Sequence, residues 1–318
     1  MKVWQFIEGK QAKSIRVILL YVLQSTGSSP GRQGFKMAVS ADGDFYGTIG
    51  GGIMEHKFVE LAKSKLQEQS VPSEIFEQIH DKTSAKHQSG MICSGKQTLF
   101  IYEIQPTDKI VIESIIKSLQ QNKNGTLTLV VNGISFSEQS FEYKYQLELS
   151  EDEFSFVYKE RTGFKNVLHI IGGGHCSLAL SRLMQSMDFY IHVYEERAEI
   201  NTLHANHFVQ EKHVVNSYND LNELIQGGED VYVVIMTFGY RSDDMALKAL
   251  IGKTFRYIGM LGSKAKIKKM FDEYRAEKIN TALLEKIKAP IGLFIKSETT
   301  DEIAVSIAAE IISVKNNI

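Results

Sequence analysis

The residues best placed to do chemistry are glycines. In Val167-Leu168-His169-Ile170-Ile171-Gly172-Gly173-Gly174-His175-Cys176-Ser177 an apolar strand runs into a glycine turn and then a helical pattern. Gly172 and Gly174 occupy the first two positions of a dinucleotide fingerprint, with Ser177 at the third. The first glycine makes the tight turn. The second leaves the backbone bare, so that a pyrophosphate can reach the amides of a helix N-terminus, while Gly173 lies between them. Such a fingerprint expects an acid about 20 residues on. Glu195, in Tyr194-Glu195-Glu196-Arg197, stands there with a carboxylate suited to a ribose hydroxyl. The same glycines would also serve close strand–helix packing alone.

A second cluster, Gly47-Thr48-Ile49-Gly50-Gly51-Gly52-Ile53-Met54-Glu55, likewise follows a strand and opens a helix. Gly50, Gly51 and Gly52 expose amides at a positive helix end, a cradle for an anion. A tight turn beneath a packed helix needs the same residues. Residues 25–34 form a small-residue loop in which the Ser28 hydroxyl and the forked Arg32 guanidinium could wrap an oxyanion; an ordinary surface loop reads the same way. Cys93, in Gly90-Met91-Ile92-Cys93-Ser94-Gly95, places a thiol between glycines, either open to a soft metal or sulfur carrier or buried as a small hydrophobe. Cys176 reads as a packing residue. His204, His207 and His213 read as surface or packing histidines, because no carboxylate or thiolate spacing completes a zinc site. No metal ligand set is expected.

These residues need a scaffold. Residues 14–24 suit a buried strand, 35–40 and 45–48 a hairpin about Asp42-Gly43, and 53–66 an amphipathic helix. A strand follows at 97–104. A helix over 109–119 carries Ile112, Ile115, Ile116 and Leu119 on one stripe. Asn132-Gly133 predicts a type I′ turn between strands 127–131 and 134–137. Beyond a polar, acidic stretch at 150–163, strands at 167–171, 190–194, 213–215, 231–236 and 257–260 alternate with helices. That alternation forces crossovers and a parallel sheet covered on both faces. The last helix opens at a capping box, Thr299 and Glu302. The fold class is therefore α/β: an N-terminal mixed α+β domain over 1–160, then a C-terminal Rossmann-like doubly wound parallel sheet over 161–318.

Composition bounds the function. With 318 residues, 43% apolar and 23% charged, the chain is globular, and two domains are expected. Net charge is −2, from 36 basic and 38 acidic residues, which provides no excess to hold a nucleic-acid backbone. Two cysteines cannot build a disulfide framework. The apolar runs are too short to span a membrane, and Glu8 and Lys10 interrupt any signal core. A cytoplasmic protein without nucleic-acid or membrane partners is expected.

The chain also resembles the xanthine dehydrogenase accessory factor family of the XdhC/CoxI type. The resemblance is carried by Gly27-Ser28-Ser29-Pro30, Gly34-Phe35-Lys36-Met37, the 47–55 cluster, Gly90-Met91-Ile92-Cys93-Ser94-Gly95, Ile171-Gly172-Gly173-Gly174-His175, Glu195-Glu196-Arg197, Tyr257-Ile258-Gly259-Met260-Leu261-Gly262-Ser263 and Ala289-Pro290-Ile291-Gly292-Leu293. It implies a homodimeric chaperone rather than a turnover enzyme. Such a protein binds the molybdenum cofactor (molybdopterin), works with a cysteine desulfurase, and supports sulfuration and insertion for a molybdenum hydroxylase client. It implies that Ser28, Arg32, Gly50, Gly51, Gly52 and Cys93 line the cofactor site, with Cys93 on the metal or sulfur side. Gly172, Gly173, Gly174 and Glu195 would hold a nucleotide or the cofactor's phosphate end. The alternatives are an NAD(P)-dependent oxidoreductase and a nucleotide-sensing module. The family often carries cysteine after the glycine triplet and histidines after the fourth Rossmann strand; here Ile53, Phe238 and Tyr240 stand there.

Overall fold

The apolar run that begins at Val17 becomes β1 (Val17–Gly27), the middle strand of a five-stranded sheet. Its alternate residues serve two cores: Val17, Leu19, Tyr21 and Leu23 face one, and Ile18, Leu20 and Val22 the other. A strand buried on both faces has no polar positions to show, which explains the unbroken hydrophobicity. In this computed structural model the described residues are 1–79, 95–150, 155–187 and 189–317. The chain divides into two compact units, Met1–Gly163 and Phe164–Ile318.

In the first unit, α1 (Lys2–Gln11) precedes β1, and β2 (Lys36–Ser40) and β3 (Phe45–Gly47) extend the sheet by antiparallel pairing. Then come α2 (Gly52–Lys65), β4 (Glu74–Ile79) and β5 (Gly95–Glu103), giving the order β3-β2-β1-β5-β4. After α3 (Lys109–Gln120), the strands β6 (Gly125–Val130), β7 (Gly133–Ser137), β8 (Tyr145–Leu149) and β9 (Phe156–Thr162) form a second antiparallel sheet, β7-β6-β9-β8. α2 packs Phe58, Val59 and Ala62 on one face of the first sheet. α1, α3 and the second sheet cover the other face through Trp4, Ile7, Ile112, Ile115, Leu127 and Tyr158.

One turn differs from expectation. Val130 pairs with Gly133, so Val131 and Asn132 make the turn and Gly133 already belongs to β7. None of these three residues has a positive φ, so the type I′ turn expected at Asn132-Gly133 is replaced by a turn one residue earlier that draws nothing from glycine's freedom.

The second unit is a parallel sheet, β12-β11-β10-β13-β14, built from β10 (Asn166–Ile171), β11 (Phe189–Glu195), β12 (Glu211–Val214), β13 (Gly228–Ile235) and β14 (Phe255–Met260). That is the order 3-2-1-4-5 of a doubly wound Rossmann-type sheet. α4 (His175–Met184), α5 (Asn201–Ala205) and the last helix, α10 (Thr300–Lys315), cover one face. α6 (Leu221–Leu224), α7 (Tyr240–Leu250) and α8 (Lys264–Ala276) cover the other, and α9 (Thr281–Leu284) follows α8. The capping box at the start of α10 forms as read, with Thr299 and Glu302 bonding each other's backbone amides. Among the described residues no helix is long and apolar enough to cross a membrane.

Candidate functional site

The 172–174 loop lies where β10 gives way to α4. Gly172 has φ 108°, and a Cβ there would come within 2.4 Å of the Met236 carbonyl oxygen. Its amide donates to the Tyr194 carbonyl at 2.7 Å, locking the loop to β11. Gly173 is crowded by Ile200, Glu195 and Leu203, and its carbonyl accepts the Thr202 hydroxyl at 2.6 Å. Gly174 differs from both. Its φ and ψ, −74° and −170°, suit any residue, and no atom lies within 4 Å of where its Cβ would stand. Among the described residues no side chain caps α4, and its first turn holds no acid. The amides that open this ten-residue helix are therefore left to water or a guest, at the positive end of the dipole.

Glu195 closes the other side of the loop and is only 1% exposed. One carboxylate oxygen accepts the Gly173 amide at 2.8 Å and an Arg197 guanidinium N–H at 2.9 Å. The other accepts Arg197 Nε at 2.8 Å, the Arg197 amide at 3.1 Å and the Tyr218 hydroxyl at 3.4 Å. Burial pushes the Glu195 pKa up, but the bonds from Arg197 and the two amides outweigh it and hold the carboxyl below its ordinary value. Both oxygens are thus engaged within the protein, and a ribose hydroxyl would have to share or displace Arg197. The Arg197 guanidinium lies 4.7 Å from the ring centroid of Phe238, which is 73% exposed. Next along the sheet, buried Asp243 accepts the Thr237 hydroxyl at 2.6 Å and amide at 3.1 Å and pairs with Lys266. Sequence reading misses the roles of Arg197 and Lys266. The first has a local signal, two residues after the acid; the second lies 23 residues from Asp243 and only the crossover brings it in.

The first unit's candidate residues also gather. A Cβ on Gly50, whose φ is 129°, would strike the backbone of Pro30 and Gly31, so the 25–34 loop and the 50–52 loop touch. Buried Gln97 clamps them: its Oε1 accepts the Ser29 hydroxyl at 2.8 Å and its Nε2 donates to the Ile49 carbonyl at 3.1 Å. Ser28 is exposed, next to that clamp. Among the described residues exposed Arg32 makes one weak bond, to the Gly27 carbonyl at 3.3 Å. The expected anion cradle already holds an anion. Glu55 Oε2 accepts the amides of Ile49 and Gly51, both at 2.9 Å, and the Thr48 hydroxyl at 2.6 Å, while the Gly50 amide donates to Thr48 Oγ1 at 3.1 Å. Cys93 lies outside the described residues, as does the 90–94 stretch around it. Cys176 is half-buried, and burial pushes its thiol pKa up. His213 faces His192 and Glu211 across two strands, a grouping no spacing along the chain announces.

Comparison with known proteins follows this division. The model of the XdhC and CoxI family matches residues 11–73, and that of the XdhC Rossmann domain matches 168–311. The chain is 25% identical over 298 residues to the uncharacterized protein YqeB of Escherichia coli strain K12, covering 93% of this chain and 43% of that one. It is 25% identical over 169 residues to a probable xanthine dehydrogenase subunit of Bacillus subtilis strain 168, covering 52% of this chain and 48% of that one. It thus spans under half the length of these curated relatives. A Bacillus halodurans crystal structure described as a xanthine dehydrogenase superposes with TM-score 0.72 at 22% identity, covering 100% of this chain and 96% of that one, a likeness of fold.

Proposed function

The chain belongs to the XdhC and CoxI family, and from that premise we propose that it is an accessory factor of a xanthine-dehydrogenase-type molybdenum hydroxylase, carrying the molybdenum cofactor as cargo. One observation carries this reading: Gly174 lacks a side chain although neither its backbone angles nor its surroundings forbid one. Bare backbone beside uncapped helix amides is what a phosphate tail needs. The residues fit such a cargo at the 172–174 loop. Its anionic end would rest on the amides that open α4, with exposed His175 alongside and the Arg197 guanidinium at the rim.

The finer parts of the reading rest on the family resemblance. Sulfuration with a cysteine desulfurase calls for a reactive thiol. Of the two cysteines, Cys176 is half-buried with a raised pKa and so a poor nucleophile. The resemblance assigns sulfur handling to Cys93. The Gly50 loop, with the amides of Ile49, Gly50 and Gly51 already taken by Glu55 and Thr48, serves in this reading as a wall that presents Ser28 and Arg32. Insertion into the client and a homodimeric assembly complete the proposal.

The test is co-elution of the purified protein with isolated molybdopterin, read by pterin fluorescence. Stoichiometric binding is expected, and Gly174→Val should weaken it at least about tenfold, by about 1.4 kcal/mol. A protein that binds NADH but no molybdopterin would replace this reading with the oxidoreductase or the nucleotide-sensing one, and turnover would separate those two.

A further inference from the structure

A second site, unrelated to the glycine loops, lies on the face of the parallel sheet. In β11 and β12 the register sets His192 opposite Glu211 and Tyr194 opposite His213. Alternate residues of a strand share a face, so His192, Glu211 and His213 project from one side of two neighbouring strands. Three atoms converge there. His192 Nδ1 and His213 Nε2 are 3.0 Å apart. Glu211 Oε2 lies 3.6 Å from the first and 3.3 Å from the second. The two ring nitrogens share one hydrogen bond, so a metal ion that displaced its single proton would meet both nitrogens together with Glu211 Oε2.

That triangle has the dimensions of a coordination face. An ion bonded at about 2.1 Å to each of three ligands in a tetrahedron spaces them about 3.4 Å apart. We propose that His192, Glu211 and His213 bind a divalent transition-metal ion of the zinc type, with the remaining position open to water. The supporting contacts suit such a site. Glu211 uses its other oxygen, Oε1, to accept the Tyr190 hydroxyl at 2.6 Å, which turns Oε2 toward the histidines. The His213 ring stacks on Tyr194 with centroids 4.6 Å apart, and the His192 ring on His169 at 4.8 Å. Rings held this way lose little freedom on binding, which is how outer contacts strengthen a metal site. The ligands are also reachable: Glu211 is 44% exposed and His213 31% by side chain. Two histidines and one carboxylate on one face leave room for a further ligand, the hallmark of an open rather than a purely structural site.

The experiment uses the full untagged chain after dialysis against chelator. Titration with Zn²⁺ should show one equivalent bound, and Co²⁺ should give visible ligand-field absorption. His213→Phe keeps a ring on Tyr194 and removes a ligand; it should cut Zn²⁺ affinity at least about 100-fold and abolish the cobalt spectrum. Glu211→Gln should cost about tenfold. His204→Ala, an exposed histidine outside the triangle, should bind as wild type. Circular dichroism checks that each variant is folded; should His213→Phe fail to fold, Glu211→Gln decides. A wild-type chain that takes up no Zn²⁺, or folded His213→Phe and Glu211→Gln variants that bind it unchanged, would overturn the proposal.

Discussion

The two glycine loops share a plan. Each follows a strand, bares backbone amides, opens a helix and sets a glutamate carboxylate on one of those amides. They differ in what the glycines are for. At Gly50, Gly51 and Gly52 every φ is positive, and the amides of Ile49, Gly50 and Gly51 are taken by Glu55 and Thr48. At 172–174 only Gly172 needs a glycine's backbone, the glutamate takes one amide, and Gly174 faces open space. Folding accounts for the backbone of the first loop and for three of its amides, whereas at Gly174 neither conformation nor packing requires a glycine. A glycine becomes informative about function when conformation and packing have both been accounted for.

The comparison can be broken most sharply at its two extremes. Gly172→Ala drives a Cβ toward the Met236 carbonyl at a positive φ, and should cost more than about 2 kcal/mol in denaturant unfolding. Gly174→Ala meets nothing and should cost under about 1 kcal/mol. Equal losses would remove the distinction between a glycine that folding requires and one that it does not.

The two glutamates sharpen it further. Glu195→Gln disrupts a bidentate pair with Arg197 and should cost about 1.5–3 kcal/mol near neutral pH. Because the folded Glu195 pKa lies below its ordinary value of 4.5, its contribution is complete above that pH and lost as the pH falls through the folded value. Wild type should therefore progressively lose its advantage over Glu195→Gln as unfolding is followed from about pH 6 to well below pH 4.5. An advantage that persists undiminished at low pH would show that the ion pair contributes nothing. The smallest effect belongs to Arg32→Ala. With one 3.3 Å bond lost from an exposed side chain, stability should change by under about 0.5 kcal/mol, while molybdopterin binding falls if the Ser28 loop meets the cargo.

Much of the fold is legible along the chain, for identifiable reasons. Strand β13 is buried on both faces, Val231, Val233 and Ile235 in one core and Tyr232 and Val234 in the other, so residues 231–235 make a continuous apolar run; in β10 only His169 interrupts residues 167–171. The capping box of α10 is local, and a local pattern survives any tertiary context. Strand β9 is not legible, because its inward positions are Phe156, Tyr158, Glu160 and Thr162. The buried Glu160 carboxylate accepts the hydroxyls of Tyr21 and Tyr158 and lies 3.5 Å from Lys36 Nζ, so a polar residue stands where alternation would require an apolar one. Helix α1 is likewise hidden, since only Trp4 and Ile7 among its apolar residues are fully buried.

The chain's own residue order determined the parallel sheet, the two glycine loops and the acid that follows the second. Each depends on periodicity or on spacing within one strand–turn–helix unit, and such information is local. Only the tertiary structure decided that Glu55 fills the first cradle, that Arg197 occupies Glu195, that Gln97 clamps two loops, and that His192 meets Glu211 and His213. Those outcomes depend on register and side-chain direction across elements, where a few ångströms separate an open amide from an occupied one and no spacing along the chain carries that distance.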